Sequence, residues 1–538
     1  MVIKFTYLSA LLFSFSSIGY SALLAKFITQ ISAKEIVAQT LTLGLYLLAM
    51  GIGANRVSRR VPKTPIDCLF RIELLVAFLG AIAIPALYLM VSYFTAFFWN
   101  LFPQISESTQ KPYFQILALQ PFSILIGFLS GMEIPLLINI HNPNQERKFG
   151  LILGLCYFGN LLGIVTTATF LIPFFDLISA GVFLGLLNLL AAFFLSLAQK
   201  SLLNLRKTSV ALLPAIAIVL ASHWAIWITQ FYLKTFYADL HPVKKSFAAA
   251  KNYAQTISNL PTIERYQSKY QAIDIVPEGF TSSIGAKTNW GLYLNQQTQF
   301  TEKTIVLYHE SMVHGALNLY KKIPRKVLVL GGGDGLLVTE LLKYESVEEI
   351  ILVELDPMML DLATKHPFLS SLNKYSLTNP RVHVIVDDAF RFLRKNKNKF
   401  EAIFVDFPYP NSYDLSKLFS TEFYRILKYN LTGDGFCILD APVIDLDPFS
   451  GRIPILKPQE IIYHSLKAAG FENLFFFGLI ESFVYVSSAP VKGFDYATLS
   501  PRIQNIGFVN THQLDDEALA INKDKPVVNS IFRPKRFQ

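Results

Sequence analysis

Cysteine is almost missing, with 3 in 538 residues. Cys68, Cys156 and Cys437 stand far apart with no His or Cys at ligand spacing, so neither a disulfide framework nor a zinc site is supported. Charge is also scarce: Asp, Glu, Lys and Arg make up 16% of the chain against 52% hydrophobic residues. That balance is too apolar for a soluble protein, and the length is too great for one domain. About half of the chain is expected in a membrane. The net charge of +9 calls for no nucleic-acid partner, because many Lys and Arg residues flank apolar runs, where they meet lipid headgroups.

Seven apolar segments precede residue 232, at 5–25, 36–55, 69–95, 114–140, 149–172, 176–198 and 209–231. Each is long enough to cross about 30 Å of hydrocarbon. The first lacks a small-residue cleavage site and more spans follow, so it reads as an uncleaved helix rather than a signal peptide. Arg56, Arg59, Arg60 and Lys63 follow the second span, Arg147 and Lys148 the fourth, and Lys200, Arg206 and Lys207 the sixth. The other loops carry little beyond Lys26, Lys34 and Lys111. The charge rule then makes the N-terminus cytoplasmic, and seven crossings put the C-terminal half on the far side. Inside the spans, Glu73, Glu133, Asn160 and His223 are polar residues in costly places, a default hint of function. Asn160 and His223 read more simply as hydrogen-bonding between helices, and Gly159 with Gly163 as a small-residue packing face. Pro135, in Gly131-Met-Glu-Ile-Pro135, is expected to break its helix.

From Leu233 to Arg265 polar residues take over, with Pro242 and Pro261 as breakers, which marks a domain boundary. Short alternating segments follow, Tyr270–Val276 and Trp290–Leu294, with Asn295-Gln296 as a turn, and they read as an antiparallel hairpin region. Next, the apolar run Val327–Leu330 feeds Gly331-Gly332-Gly333-Asp334-Gly335, a helical pattern covers Leu336 to Lys343, and the run Ile350–Val353 ends in Glu354. This is a buried strand, a tight glycine turn, a helix and a parallel strand with an acid at its tip. Such a turn lets backbone approach a ligand, and an acid about 20 residues on can take both hydroxyls of a ribose. The pattern is not G-x-G-x-x-G, and Asp334 would repel a phosphate, so a cationic nucleoside such as an S-adenosyl sulfonium fits better than NAD or ATP. The rhythm continues with a strand at 381–386 ending in Asp387-Asp388, a helix at 389–396, and a strand at 402–405 ending in Asp406. Acids at Asp334, Glu354, Asp388 and Asp406 would share the carboxyl edge of the sheet and repel one another unless a cation offsets them.

These residues resemble a known family. Leu294 to Glu310 (with Gln299-Phe-Thr-Glu302 and Tyr308-His309-Glu310), the glycine turn, Glu354-Leu-Asp, Asp388-Ala-Phe and Asp406-x-Pro-x-Pro410 with Glu422-Phe-Tyr424 look like the polyamine aminopropyltransferases, the spermidine synthase family. Gly131–Pro135 and Tyr157-x-Gly159 resemble the N-terminal region of its bacterial membrane-bound members. The resemblance implies transfer of an aminopropyl group from decarboxylated S-adenosylmethionine to an amine such as putrescine, with spermidine and methylthioadenosine as products. The nucleoside is a co-substrate, and neither a cofactor nor a metal is implied. Asp406 is implied as proton acceptor, Glu354 for the ribose hydroxyls, Asp388, beside Asp387, for the adenine amine, and Asp334 and Gln299 for the sulfonium end. Gln271, Tyr308 and His309 would shape the pocket, and a homodimer and a lipid bilayer are the implied partners. One position departs from the pattern: the usual Asp-x-x-Asp-Pro is Asp406-Phe407-Pro408-Tyr409-Pro410 here. Loss of one carboxylate contact weakens a diamine's binding by roughly 1.5–3 kcal/mol, although the Tyr409 ring can face a cation.

The expected layout is an all-α multi-spanning membrane bundle at 1–231, a linker at 232–264, a small antiparallel β domain at 265–325, a doubly wound α/β domain (Rossmann-like, as in S-adenosylmethionine methyltransferases) at 326–490, and a polar tail at 491–538. A cleft between the β domain and the α/β domain is where a second substrate is expected. The substrate chemistry places the catalytic half in the cytoplasm, against the charge count. Two other readings stand beside this one: an S-adenosylmethionine-dependent methyltransferase, and a polyamine-binding sensor or transporter motivated by Tyr409.

Overall fold

The computed structural model describes residues 2–32, 34–98, 111–140, 146–198, 205–238, 247–280, 290–302, 305–408, 410, 413–441, 457–478, 481–495, 513–514, 521–524 and 526–535. Tyr409 lies outside the described residues. The chain divides into two compact units, Met1–Gln297 and Thr298–Gln538.

In the first unit, long runs of Leu, Ile, Phe and Ala with few charges form helices α1 (Val2–Ser32), α2 (Glu35–Arg59), α3 (Pro65–Phe98), α4 (Lys111–Ala118), α5 (Pro121–Ile140), α6 (Glu146–Thr166), α7 (Leu177–Ala198) and α8 (Leu205–Ala238). Seven of the helical stretches are long and apolar enough to cross a membrane; α4 is too short, and the stretch that begins in α6 runs on through a π-helical turn to Phe174. Gly159 and Gly163 do pack a small-residue face: a Cβ at these positions would stand 2.7 Å from the Leu11 carbonyl oxygen and 2.2 Å from that of Phe15. The backbones of α1 and α6 therefore touch.

Two expectations for this region are corrected. Pro135 does not break its helix, since α5 continues to Ile140. Proline removes one N–H from the ladder, the one that would reach the Gly131 carbonyl, and membrane helices tolerate that loss; past it, Asn139 Nδ2 donates to the Pro135 oxygen at 2.8 Å. His223 does not bond between helices; it is exposed and stacks edge-on with Trp224.

Helix α8 runs into the stretch read as a linker, and Phe247–Ser258 within that stretch is helical too. Strands β1 (Glu264–Gln267), β2 (Ala272–Val276), β3 (Gly291–Leu294) and β4 (Gln297–Thr301) follow in that sheet order. Asn295 and Gln296 both take positive φ, 49° and 66°, which makes the two-residue turn between β3 and β4. Within the first unit, Gln230 exchanges two hydrogen bonds with the backbone of Ile263, at 2.7 and 3.0 Å. Buried Asp274 receives Tyr237 Oη at 2.6 Å and both Arg265 Nε and Nη2 at 2.6 Å. These bonds fasten the small sheet to the end of α8.

The second unit holds β5 (Lys326–Gly331), β6 (Glu349–Glu354), β7 (Val382–Val386), β8 (Phe400–Asp406), β9 (Leu431–Asp440), β10 (Asn473–Phe477), β11 (Phe483–Ser487) and β12 (Gln513–Leu514). They form one sheet in the order β12-β10-β11-β9-β8-β5-β6-β7. Strands β5 to β9 are parallel and β10 to β12 antiparallel, so the sheet is mixed. The chain leaves β5 toward β6 and β7, then returns to β8 on the other side. Strand order reverses at β5, which opens a crevice at its carboxyl end. Leu328, Leu330, Ile403 and Val405 bury one face of the sheet against Phe423 and Leu427 of the helix Thr421–Asn430. The stretch read as a polar tail is partly structural: Asn529 is buried, donates to the Ser416 carbonyl at 2.8 Å, and its own carbonyl takes the Thr421 N–H at 2.9 Å.

Candidate active site

Glycine brings the strand tips together. Gly331, Gly332 and Gly335 hold φ of 79°, 63° and 80°, a region costly for residues with a Cβ. A Cβ on Gly331 would stand 2.1 Å from the Asp406 carbonyl oxygen, and Gly332 donates its N–H to that same oxygen at 3.2 Å. A Cβ on Gly333 would stand 2.7 Å from Cγ of Glu354. The turn after β5 thus lies directly against the ends of β8 and β6.

Each tip acid has a local anchor that fixes one oxygen. Asp334 Oδ1 accepts the Leu336 N–H at 2.8 Å, starting the next helix. Glu354 Oε1 accepts the Asp356 N–H at 2.8 Å. Burial pushes the Glu354 carboxyl up to about 7, against the pull of backbone hydrogen bonds from Asp356 and Leu355. Asp406 Oδ1 accepts the Tyr308 hydroxyl at 2.9 Å. Burial raises the Asp406 carboxyl to about 6, with Asp334 adding to the rise and His309 and the Tyr308 hydrogen bond opposing it.

Tyr308 and His309 sit on a π-helical segment, Val306–Gly315. This rare geometry gathers at functional sites. Burial, then the charges of Asp406 and Asp440, hold the Tyr308 phenol far above its ordinary value, so Tyr308 is a donor at any working pH. His309 is buried and places Nδ1 3.1 Å from the Ile305 carbonyl. A carbonyl only accepts, so Nδ1 carries a proton and Nε2 is left for other work.

Two acids join the site that the sequence reading passed over. Asp440 ends β9, which pairs with β8. It sits opposite Phe483 across the β9 and β11 pairing, and the Ala441 N–H donates to the Ser482 carbonyl at 3.0 Å, which draws the turn at Glu481 beside it. Burial, then Glu481 and Asp406, push the Asp440 carboxyl far above its ordinary value. Burial raises Glu481 as well, and His309 pulls it back. Asp440 follows the same rule that located Asp406, an apolar run (Phe436–Leu439) with an acid at its end. Glu481 carries no such local signal.

The remaining residues divide. Asp388 Oδ1 caps the helix Ala389–Lys395 by accepting the Arg391 N–H at 2.9 Å, and its Oδ2 meets Lys417 Nζ at 3.4 Å. Asp387 accepts the Asp388 N–H at 2.7 Å and pairs with the Arg391 side chain. Both acids thus have helix-end duties at the tip of β7. Gln299 is half-buried on β4, and Gln271 lies in the first unit, in the turn between β1 and β2 where its N–H meets Ser268 Oγ at 3.0 Å. Glu422 anchors the chain end by accepting the Ser530 hydroxyl at 2.5 Å and the Ile531 N–H at 3.1 Å, and Tyr424 is core.

A family model described as the spermine/spermidine synthase domain matches residues 305–448. A polyamine aminopropyltransferase of Leptospira interrogans is 32% identical over 432 residues, covering 78% of this chain and 76% of that protein. Polyamine aminopropyltransferase 1 of Streptomyces coelicolor is 30% identical over 405 residues, 74% of this chain and 68% of its own. A solved spermidine synthase from Thermotoga maritima aligns with 48% of this chain and 87% of its own at 24% identity and a TM-score of 0.38. A mixed α/β sheet with acids along its open edge, in a chain that matches the synthase family model and named transferases, defines the class as an α/β transferase. The chain belongs to the polyamine aminopropyltransferase family.

Proposed function

We propose that this protein is anchored in a membrane by its seven apolar helices and moves an aminopropyl group from decarboxylated S-adenosylmethionine to putrescine or a similar amine. Glu354 takes the ribose hydroxyls, Asp388 the adenine amine, and Asp334 with Gln299 the sulfonium end, while Tyr308 and His309 shape the pocket. An alkylamine with a pKa near ~10 is protonated at neutral pH and cannot attack. Asp406 accepts that proton, the freed nitrogen attacks the carbon next to sulfur, the C–S bond breaks, and its electron pair leaves on neutral methylthioadenosine. The Tyr308 hydroxyl occupies Oδ1, so Oδ2 is the oxygen for the amine.

In this reading Asp440 and Glu481 hold the far ammonium of the diamine, the duty left open by Tyr409. The observation that carries the proposal is Asp406 itself: a carboxyl at about 6, bonded to the Tyr308 hydroxyl and within electrostatic reach of Asp334 and Asp440, is ionised at neutral pH. The test is incubation of the solubilised full chain with decarboxylated S-adenosylmethionine and a panel of amines, with methylthioadenosine as readout. Release should need an amine and should fall about 10²–10⁴-fold in Asp406→Asn. An unchanged rate in that variant would remove the catalytic assignment, and S-adenosylhomocysteine formed from S-adenosylmethionine would favour a methyltransferase instead.

A further inference from the structure

Two carboxyls lie inside the helical bundle, unused by the transfer reaction. Glu73 on α3 is fully buried, Glu133 on α5 is 2% exposed, and the two are within Coulombic reach of each other. Among the described residues neither forms an ion pair with Lys or Arg. Asn188 on α7 donates Nδ2 to Glu73 Oε2 at 2.7 Å, and the Ser130 side chain hydrogen-bonds Glu133. Among the described residues no donor reaches Glu73 Oε1, Glu133 Oε1 or Asn188 Oδ1. Tyr20 of α1 enters over Gly80, where a Cβ would stand 2.1 Å from its Oη; that hydroxyl is within electrostatic reach of both glutamates and, among the described residues, is also without a hydrogen-bond partner.

The chemistry of this cluster is weighted to acceptors. Its open atoms are three acceptors and the single Tyr20 hydroxyl around two acids, and two buried carboxylates without compensation are too costly to persist. A primary ammonium brings three N–H donors, no acceptor and one positive charge. We propose that Glu73, Glu133 and Asn188 form a binding site for a primary ammonium group inside the helical bundle, separate from the transfer site. With the ammonium seated, one carboxylate balances its charge and the other keeps a proton, so the cluster is neutral and each open acceptor has a donor.

Carbodiimides modify protonated carboxyls in apolar surroundings, which gives a readout independent of catalysis. The full chain in lipid nanodiscs would be treated with dicyclohexylcarbodiimide, and labelling at Glu73 and Glu133 followed by mass spectrometry with and without putrescine or n-butylamine. Labelling at the carboxyl that balances the ammonium should slow at least tenfold with saturating amine, because only the protonated form reacts. Asn188→Leu, which keeps both acids but removes one acceptor, should lose most of that protection while methylthioadenosine formation continues. Labelling indifferent to amine would overturn the proposal and leave the acids as a proton-holding pair, and failure of either acid to label would overturn it as well. Because labelling does not depend on turnover, its failure is distinguishable from failure of the transferase reading.

Discussion

As the proposed proton acceptor, Asp406 must be ionised, and its carboxyl sits at about 6 because burial outweighs His309 and Tyr308. The rate should therefore be constant on the alkaline side of about 6 as far as this group is concerned, and fall tenfold per pH unit on the acid side. Tyr308 donates to the ionised form and lowers that value, so Tyr308→Phe should move the acid limb of the kcat/KM profile to higher pH and lower kcat by roughly tenfold. An acid limb that stays in place would mean Tyr308 does not hold Asp406. Asp440 gives a separable signature. If it holds the far ammonium, Asp440→Asn should raise KM for putrescine about ten- to a hundred-fold, the loss of a charge-assisted hydrogen bond, with KM for the nucleoside unchanged. Steady-state kinetics with each substrate varied in turn reads this directly. Asp334, Glu354 and Asp406 were legible because apolar runs that end in acids are local patterns. Asp440 followed the same pattern and was readable on those terms. Glu481 was not, because only the antiparallel register of β11 on β9 carries it to the site.

Among the elements, the glycine turn is the one whose failure is easiest to forecast. A methyl on Gly333 would stand 2.7 Å from Cγ of Glu354 and 2.8 Å from its Oε2, so Gly333→Ala should push the carboxylate off the ribose position. Calorimetry with methylthioadenosine should then show affinity reduced about ten- to a hundred-fold, comparable to losing a hydrogen bond to a charged group, while amine KM changes little. Equal affinity would show that Glu354 is not the ribose partner. Spans, strands and the turn were readable because periodicity and glycine chemistry act over a few residues. Three features were not. Pro135 leaves α5 intact, since one missing N–H in a long apolar helix costs a single bond and the ladder resumes beyond it. Helix α8 continues past the end of its apolar run, where Tyr237 bonds buried Asp274 of the small sheet. The chain end is ordered at Asn529 and Glu422 by bonds across more than 100 residues, which no local pattern announces.

For the molecule as a whole, seven crossings put the chain before α1 and the chain after Ala238 on opposite faces of the proposed bilayer. Arg56, Arg59, Arg60 and Lys63, Arg147 with Lys148, and Lys200, Arg206 and Lys207 all fall on the face of Lys4, and each charge favours the cytoplasmic side by about 1 kcal/mol or less. Against that bias stands the proposed chemistry. A sulfonium nucleoside is permanently charged, is made inside cells, and does not cross hydrocarbon unaided, so an enzyme on the outer face would have none to use. Loop charges modulate orientation, whereas an absent substrate removes the reaction altogether. The chain after Ala238 is therefore expected in the cytoplasm, with the basic loops outside. Green fluorescent protein fused after Gln538 should fluoresce and alkaline phosphatase fused there should stay inactive. The reverse pair would restore the charge rule and require a transferase fed by nucleoside from outside the cell.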